Sequence, residues 1–211
     1  MAQWSSRRLS ELDSPLVLLP ERYDPRRTLS HAGQRLDVFV AEIRESVDPT
    51  RLVVPLCYVA DTTHAREGVL LPCPLRDPRA LESRRKRAQA GDILISRLRP
   101  YLRQVALVDA MDAPLLVSPE FLVLRPRQTP AGFLVPYLLS PGVQRVLAAS
   151  QEGGHHPRVP RDTVAALPIP PELAERRDEV SRTVSAAVVA RRAADAQMTT
   201  VFAEIGDLIG D

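Results

Sequence analysis

Short apolar clusters, each interrupted by proline, glycine or acidic residues, fill the first half of the chain. They lie at residues 38–40, 52–60 and 69–71. Runs of β-branched and apolar residues between turn-forming residues are typical of short strands. The pattern therefore predicts three strands between residues 34 and 71.

The clearest strand pattern lies between residues 93 and 124. Apolar runs at residues 93–96, 105–108 and 121–124 are separated by prolines or acidic turns. Successive side chains of a strand point to opposite faces. Ile93, Ile95 and Arg97 are thus expected on one face, and Leu94, Ser96 and Leu98 on the other. Three strands this close in sequence predict an antiparallel or mixed sheet.

Helical segments are predicted at residues 132–140 and 141–151, the second with a proline in its first turn. Residues 152–157 contain Gly-Gly and His-Pro, which interrupt a periodic pattern and predict a loop. The polar, proline-rich residues 1–30 predict an arm with one extended piece at residues 16–19.

The chain ends in a long amphipathic segment. Residues 172–205 contain neither glycine nor proline, and their apolar positions follow a heptad a/d pattern that two arginines interrupt. A helix of this length extends roughly 50 Å, which is too long to be buried against one small domain. We expect its seam to pair with a second helix; the alternative is a helix lying across its own sheet. The seam positions are Leu173, Val180, Val184, Ala187, Ala194, Met198, Val201 and Ile205.

The predicted fold is α/β (α+β). One mixed-sheet domain occupies residues 1–170, and a long coiled-coil helix occupies residues 171–211. Apolar residues make up 45% and charged residues 26%, as in ordinary globular proteins. The sequence shows no leader and no apolar run near the roughly 20 residues of a membrane span, so a soluble, cytoplasmic protein is expected.

A net charge of +2 argues against binding polyanions through bulk charge. The charge is unevenly distributed, however. Residues 76–103 carry nine Lys or Arg against three Asp or Glu, whereas residues 172–211 carry five against eight. The sequence therefore indicates a basic segment followed by an acidic helix.

Motifs for catalysis are missing from the sequence. It contains no phosphate-binding glycine loop, dinucleotide fingerprint, nucleophile elbow or methyltransferase signature. Two cysteines and four histidines, of which His155 and His156 are adjacent, do not have the spacing of a metal site. We expect a protein without enzymatic activity, metal or cofactor.

A recognition surface is the remaining candidate. Arg97, Arg99 and Arg103 lie around Pro100 with Tyr101, and planar guanidinium groups suit phosphates and guanine edges. Ordinary solvated arginines are the alternative, and this holds especially for the charged run at residues 84–87. The candidate DNA-binding residues are Arg84, Arg85, Lys86, Arg87, Arg97, Arg99, Tyr101, Arg103, His155, His156 and Arg158.

Several ordered motifs resemble a known family. The segments GDILISRLRPYLRQVAL, SPEFLVLRP and SQEGGHHPRVPRDTVAALPIP resemble the target recognition domain of specificity (S) subunits of type I restriction-modification enzymes. The early segment ERYDPRR resembles their N-terminal part, and the heptad helix resembles their spacer helix. A full S subunit has two recognition domains and two spacer helices, so this chain resembles a half-length form.

The resemblance implies a non-catalytic subunit that binds double-stranded DNA and recruits a DNA methyltransferase subunit, with or without a restriction motor subunit. It further implies a homodimer that reads a bipartite target with inverted half-sites. The family's glycine loop corresponds to Gly153, Gly154, Pro157 and Arg158, where backbone approaches either DNA or the adjoining spacer helix. Two alternatives remain: a DNA-recognition subunit of another phage-defence assembly, and a protein-only coiled-coil adaptor.

Overall fold

The computed structural model describes Arg8, residues 24–128 and residues 130–209. The predicted extended piece at residues 16–19 and the first three residues of ERYDPRR lie outside the described residues.

Short strands dominate the described part of the chain before residue 170. They are β1 (Gln34–Arg35), β2 (Val40–Ile43), β3 (Ser46–Val47), β4 (Cys57–Ala60), β5 (Ala65–Arg66), β6 (Gly68–Leu70), β7 (Leu75–Arg76), β8 (Arg85–Ala88), β9 (Ile93–Ser96), β10 (Val105–Leu107), β11 (Leu115–Val117), β12 (Phe121–Pro126) and β13 (Pro168–Ile169).

Helices lie between some of the strands and after the last one. They are α1 (Leu36–Phe39), α2 (Leu134–Leu138), α3 (Pro141–Ala149), α4 (Arg161–Ala165), α5 (Pro171–Glu175) and α6 (Arg177–Ile209). Ser140 caps α3 by accepting a hydrogen bond from the backbone of Val143, and Pro141 occupies the first turn, as the sequence predicts.

Two mixed sheets form the body of the molecule. A six-stranded sheet has the order β2-β12-β9-β10-β6-β5, and a five-stranded sheet has the order β3-β8-β11-β4-β7. The β10–β6 and β11–β4 pairs are parallel, while the other pairs in both sheets are antiparallel. The mixed α/β fold with a long final helix is thus confirmed, although the strands form two large sheets and one small β1–β13 pair rather than one.

Strand β9 lies at the centre of the core because both of its faces are buried. Ile93 and Ile95 belong to the apolar cluster beneath the helices, whereas Leu94 belongs to the cluster toward the second sheet. The predicted alternation along this strand is therefore correct. At the start of the strand, the buried carboxylate of Asp92 accepts two hydrogen bonds of 2.9 Å from Nε and Nη2 of the half-buried Arg125.

Two strand predictions were wrong in detail. Val38 and Phe39 lie in the helical turn α1, and only Val40 begins a strand. Of residues 52–60, only Cys57–Ala60 form a strand. Pro49 lies just before this apolar run, and Pro55 lies within residues 52–56, the part that forms no strand. Proline lacks the N–H group that pairing with a neighbouring strand requires. These prolines explain why apolar character alone did not produce a strand there.

Helix α6 is fixed to the body of the molecule by its first half. Ser181 is buried, and its Oγ accepts a hydrogen bond from the Phe133 backbone N at 3.0 Å. Val188 joins the main apolar cluster, and Arg192 forms an ion pair with Asp109. Beyond Asp195, nearly every described residue of the helix is exposed. The second half of α6 therefore extends away from the body.

Within the part of the chain that the structure describes, no helix combines the length and the apolar character that crossing a membrane would need.

Candidate nucleic-acid interface

A tight turn connects β9 to β10 and carries two of the predicted basic residues, Arg99 and Arg103. We refer to residues 99–103 as the Pro100 turn, since Pro100–Leu102 form a single 3-10 turn. Arg99 and Arg103 flank it with positive φ angles of 46° and 53°. A side chain in this left-handed region costs roughly 1–2 kcal/mol, so the turn holds its arginines in a strained backbone.

The Pro100 turn is anchored from below and exposed at its tip. Pro100 is buried, and the turn packs against α3. Tyr101 and Leu102, in contrast, are 67% and 45% exposed. The adjacent Arg99 and Arg103 are also exposed, and neither forms an ion pair with a carboxylate of the described residues. Two unpaired guanidinium groups thus flank an exposed phenol and an isobutyl group.

The predicted loop at residues 152–157 is a narrow hairpin, here called the glycine loop (residues 152–158). Backbone hydrogen bonds of 2.9 and 2.8 Å join Glu152 and Arg158 at its base. Gly153 has a φ of 100°, which a side chain would not readily adopt. His155 and His156 lie exposed near its tip with their ring centroids 5.1 Å apart.

Backbone contacts connect the glycine loop with the strand that leads into the Pro100 turn. Val159 N donates to Arg97 O at 3.0 Å, and Arg97 Nε donates to Val159 O at 2.9 Å. Leu98 forms an isolated bridge with Arg158. Two segments that are about sixty residues apart in sequence therefore form one continuous surface.

Glu120 stabilises this arrangement through its carboxylate. Arg158 donates two hydrogen bonds to it, from Nε at 2.8 Å and from Nη2 at 2.5 Å. The Arg158 hydrogen bonds lower the pKa of Glu120 from its ordinary value despite partial burial. Arg97 N also donates to the Glu120 backbone O at 3.1 Å. Glu120 therefore holds both segments, and its acidic group keeps Arg158 occupied.

An open cleft of about 550 Å³ lies beside the glycine loop. Arg44, Arg97, Arg158 and Arg161 contribute to its lining. Arg44 and Arg161 both pair with the carboxylate of Glu42, which lowers the net positive charge of the cleft. Sequence reasoning missed Arg44, Arg161 and Glu120, because no local pattern indicates a partner so distant along the chain.

Most of the charged run at residues 84–87 lies on a strand that has one buried face. Residues 85–88 form β8, so alternate side chains face opposite sides of the five-stranded sheet. Lys86 is only 3% exposed, and its Nζ donates to Phe121 O at 2.6 Å. Burial lowers the pKa of Lys86. The prediction that Lys86 contacts DNA is therefore corrected: this side chain lies in the interior.

The other three members of the run stay near the surface. Arg85 pairs with Asp61 at 2.7 Å, and Arg84 Nε donates to Ser46 Oγ at 2.9 Å. Arg87 is exposed, on a strand distinct from the Pro100 turn. These arginines belong to the second sheet, whereas the Pro100 turn belongs to the first.

The predicted helix seam divides into two parts. Leu173, Val180 and Val184 are half-buried and pack on the core of their own chain. The remaining positions are exposed: Ala187, Ala194, Met198, Val201 and Ile205. Phe202, Leu208 and Ile209 enlarge this exposed apolar surface and were not predicted. The helix therefore uses one part of its seam within the chain and leaves the rest exposed.

Comparisons with known proteins support a relationship at the level of fold. No protein-family model matches the chain, and no curated protein matches it. One similar structure comes from work on the structural basis of complex assembly and conformational transition in the type I R-M system. It is 25% identical with a TM-score of 0.59, over 82% of this chain and 48% of that one.

A second similar structure is the HsdS subunit from Thermoanaerobacter tengcongensis. It is 23% identical with a TM-score of 0.55, over 80% of this chain and 46% of that one. Both neighbours are HsdS specificity subunits of type I restriction-modification systems, which confirms the resemblance seen in the sequence motifs. The chain spans about half the length of each neighbour.

Proposed function

We propose that this chain is a non-catalytic, sequence-specific DNA-binding subunit that directs an adenine DNA methyltransferase to a bipartite target. The observation that carries the proposal is the Pro100 turn. On a fold shared with HsdS subunits, it presents exposed arginines that have no carboxylate partner among the described residues. Arginines in this situation are available to bind phosphates and base edges.

In this proposal, residues 1–170 form the recognition domain and residues 171–211 form a spacer helix. The exposed apolar positions of the second half of α6 support pairing with the same helix of a second copy. A homodimer related by a two-fold axis would read inverted half-sites, because the symmetry of the protein is matched by the symmetry of its target. A restriction motor subunit is an additional partner that this arrangement accommodates.

The decisive experiment measures methylation directly. The chain is co-expressed with a methyltransferase subunit of a type I system from the same source, and the host DNA is read by single-molecule sequencing. We expect a methylated adenine within a bipartite motif. Substituting Arg97, Arg99 and Arg103 by alanine should abolish this methylation, because the main phosphate and base contacts are lost.

A matched control uses three exposed arginines on β5, β7 and α6. The variant with Arg66, Arg76 and Arg182 replaced by alanine should direct methylation of the same motif to a similar extent. If the wild-type chain produces no methylated motif, the proposed function is wrong.

A protein-only adaptor is the second candidate, since the exposed apolar surface of α6 suits protein contacts as well as a dimer. The two functions make opposite predictions for the Pro100 turn. An adaptor would keep all partner binding after the triple substitution and would show no affinity for duplex DNA before it.

A further inference from the structure

The tip of the Pro100 turn is the most prominent apolar group on the proposed DNA-binding surface. Tyr101 is 67% exposed and Leu102 is 45% exposed, although both follow a buried proline. Large apolar side chains at the tip of a tight turn gain nothing from solvent. We infer that Tyr101 and Leu102 form a wedge that inserts at a base step of the DNA and unstacks it. This inference rests on the proposed function.

Charge complementarity identifies DNA as the occupant. Arg99 immediately precedes the turn and Arg103 immediately follows it, so cationic groups flank the apolar tip on both sides. Neither arginine pairs with a carboxylate in residues 24–128 or 130–209, which leaves both guanidinium groups for phosphates on either side of the inserted step. Apolar wedges flanked by cations are a recurring way to open a base step.

The backbone supports a wedge because it is rigid where insertion would push against it. Arg99 and Arg103 both adopt the left-handed conformation, and 2.8 Å hydrogen bonds from Leu102 N to Arg99 O and from Arg103 N to Pro100 O close the turn. Beneath it, Pro100 is buried and the turn packs on α3. The tip therefore cannot retract easily when it meets a stacked duplex.

Insertion of the wedge would affect which DNA sequences are bound. Opening a base step costs least at pyrimidine–purine steps, which are the most deformable. A wedge would consequently favour half-sites that place such a step under the tip, even without a hydrogen bond to either base. This selection adds to any direct reading of base edges by Arg97 or the glycine loop.

The test follows base stacking rather than affinity alone. Short random-sequence duplexes are enriched by binding to the full wild-type chain. 2-Aminopurine, which fluoresces more strongly when unstacked, is then substituted at each position of the enriched half-site in turn. We expect wild-type protein to raise the fluorescence at one base step. Tyr101→Ala should remove this rise and weaken binding by about 5- to 150-fold, the range for losing one base–aromatic stack.

Two further variants separate the wedge from other roles. Tyr101→Phe should keep the fluorescence rise, because insertion requires the ring and not the hydroxyl group. Leu102→Ala should reduce the rise, whereas Leu75→Ala, at a leucine that is 47% exposed on β7, should not. All these side chains are exposed, and circular dichroism should show unchanged folding.

The outcomes distinguish the inference from the function on which it rests. If no sequence is enriched, the proposed function fails and the wedge fails with it. If a sequence is enriched but Tyr101→Ala retains the fluorescence rise, only the wedge is wrong. A loss of the rise in Tyr101→Phe equal to that in Tyr101→Ala would also overturn it, because the hydroxyl group would then be responsible.

Discussion

Arg99 and Arg103 illustrate how single residues on this surface combine a structural cost with a chemical use. Both occupy a left-handed conformation that glycine would adopt without penalty. Glycine at either position would relieve the strain but would remove a guanidinium group. In the proposed function, arginine at these two positions would therefore gain a DNA contact at the expense of stability.

The first prediction concerns Arg103→Gly. We expect the free energy of unfolding to rise by about 0.5–1 kcal/mol, since relief of the left-handed conformation outweighs the added freedom of the unfolded chain. DNA affinity should fall. Urea denaturation measures the first effect, and fluorescence anisotropy with duplex DNA measures the second.

Arg97→Gly is the matched control for that prediction. Arg97 does not have a positive φ, and its Nε donates to Val159 O at 2.9 Å. This substitution should lower the free energy of unfolding. If Arg103→Gly lowers the free energy of unfolding by the same amount, the left-handed conformation of Arg103 carries no strain.

The second prediction concerns the ion pair of Glu120 with Arg158. Because Arg158 lowers the pKa of Glu120 below 4.5, the folded state binds its proton less tightly than the unfolded state does. The pair therefore stabilises the fold above pH 4.5, and this contribution is lost as the pH falls through the folded-state pKa. Because both side chains are partly exposed, solvent screening keeps the effect small.

Glu120→Gln removes that pH dependence and is expected to be less stable than the wild type at pH 7, by a difference that shrinks as the pH falls below 4.5. Unfolding midpoints are measured for both proteins over a series of pH values. The difference in stability between the two proteins then reports on Glu120, because the contributions of the other carboxylates cancel. Glu152→Gln is the control, because that side chain lies 3.6 Å from Arg27 and is mostly exposed. A constant difference between wild type and Glu120→Gln at every pH would contradict the assignment.

At the scale of elements, the sequence predicted those parts whose pattern is local. Strands β9, β10 and β12, helix α3 and the glycine loop were all expected from periodicity and turn residues. The division into two sheets was not, because it depends on pairings such as β11 with β4, more than fifty residues apart. The burial of Lys86 was missed for a related reason. Four consecutive basic residues gave no alternation from which an inward-facing position could be recognised.

For helix α6, the sequence pattern identified one of two contact faces and missed the other. The heptad pattern identified the exposed seam, but Ser181 and Arg192 face the body of the molecule, and both are polar. Since an α-helix turns about 100° per residue, the face that contains Ser181, Val188 and Arg192 lies roughly a third of a turn or slightly more from the exposed seam. A helix can thus pack on its own domain and still present a second apolar face.

The third prediction uses the exposed part of that seam. Replacing Val201 and Ile205 by glutamate should convert a dimer to a monomer, because buried like charges are costly. Analytical ultracentrifugation at micromolar concentration measures the change. Val184 is avoided because it packs on the core of its own chain.

The control for this prediction places the same charges on the opposite side of the helix. Ala196 and Ala203 are exposed, and glutamate at both positions should leave the dimer intact. A wild-type chain that is already monomeric at this concentration would contradict the homodimer and indicate that a different chain supplies the second helix.

The fourth prediction tests how α6 is fixed to the body. A Cβ atom added at Gly132 would lie 3.2 Å from Ser181 O and 3.3 Å from Ser181 Cα, both backbone atoms of the helix. Gly132→Ala should therefore lower the free energy of unfolding by about 1–3 kcal/mol, as other overpacked contacts do.

Gly206→Ala is the matched control on α6 itself. A Cβ atom there meets nothing within 4 Å, and alanine in a helix is about 0.5–1 kcal/mol more favourable than glycine. This variant should be more stable than the wild type in the same denaturation experiment. Equal destabilisation by both substitutions would contradict the close helix contact at Gly132.

At the scale of the whole molecule, a net charge of +2 conceals a separation of charge along the chain. The basic residues 76–103 include the Pro100 turn, and the acidic residues 172–211 include the helix that extends from the body. In the proposed function, this separation would direct DNA toward the basic surface and away from the helix, where protein contacts are proposed.

The fifth prediction is the salt dependence of DNA binding that follows from this separation. Each phosphate contact contributes about 0.9 to the slope of log K against log salt. Replacing Arg97, Arg99 and Arg103 by alanine should reduce that slope by about 1–3 per domain. Replacing Arg66, Arg76 and Arg182 should leave it unchanged, and a reduced slope in that control would place the contacts elsewhere.

The buried position of Lys86 has a consequence for chemical modification. It is the single lysine among the 211 residues, and its amino group is enclosed by protein. Acetylating enzymes, formaldehyde and amine-reactive dyes therefore find no accessible lysine side chain on this molecule. The basic side chains on its surface carry guanidinium groups, which such reagents leave largely cationic, so the proposed DNA-binding surface should retain its charge under treatments that neutralise lysine-rich proteins.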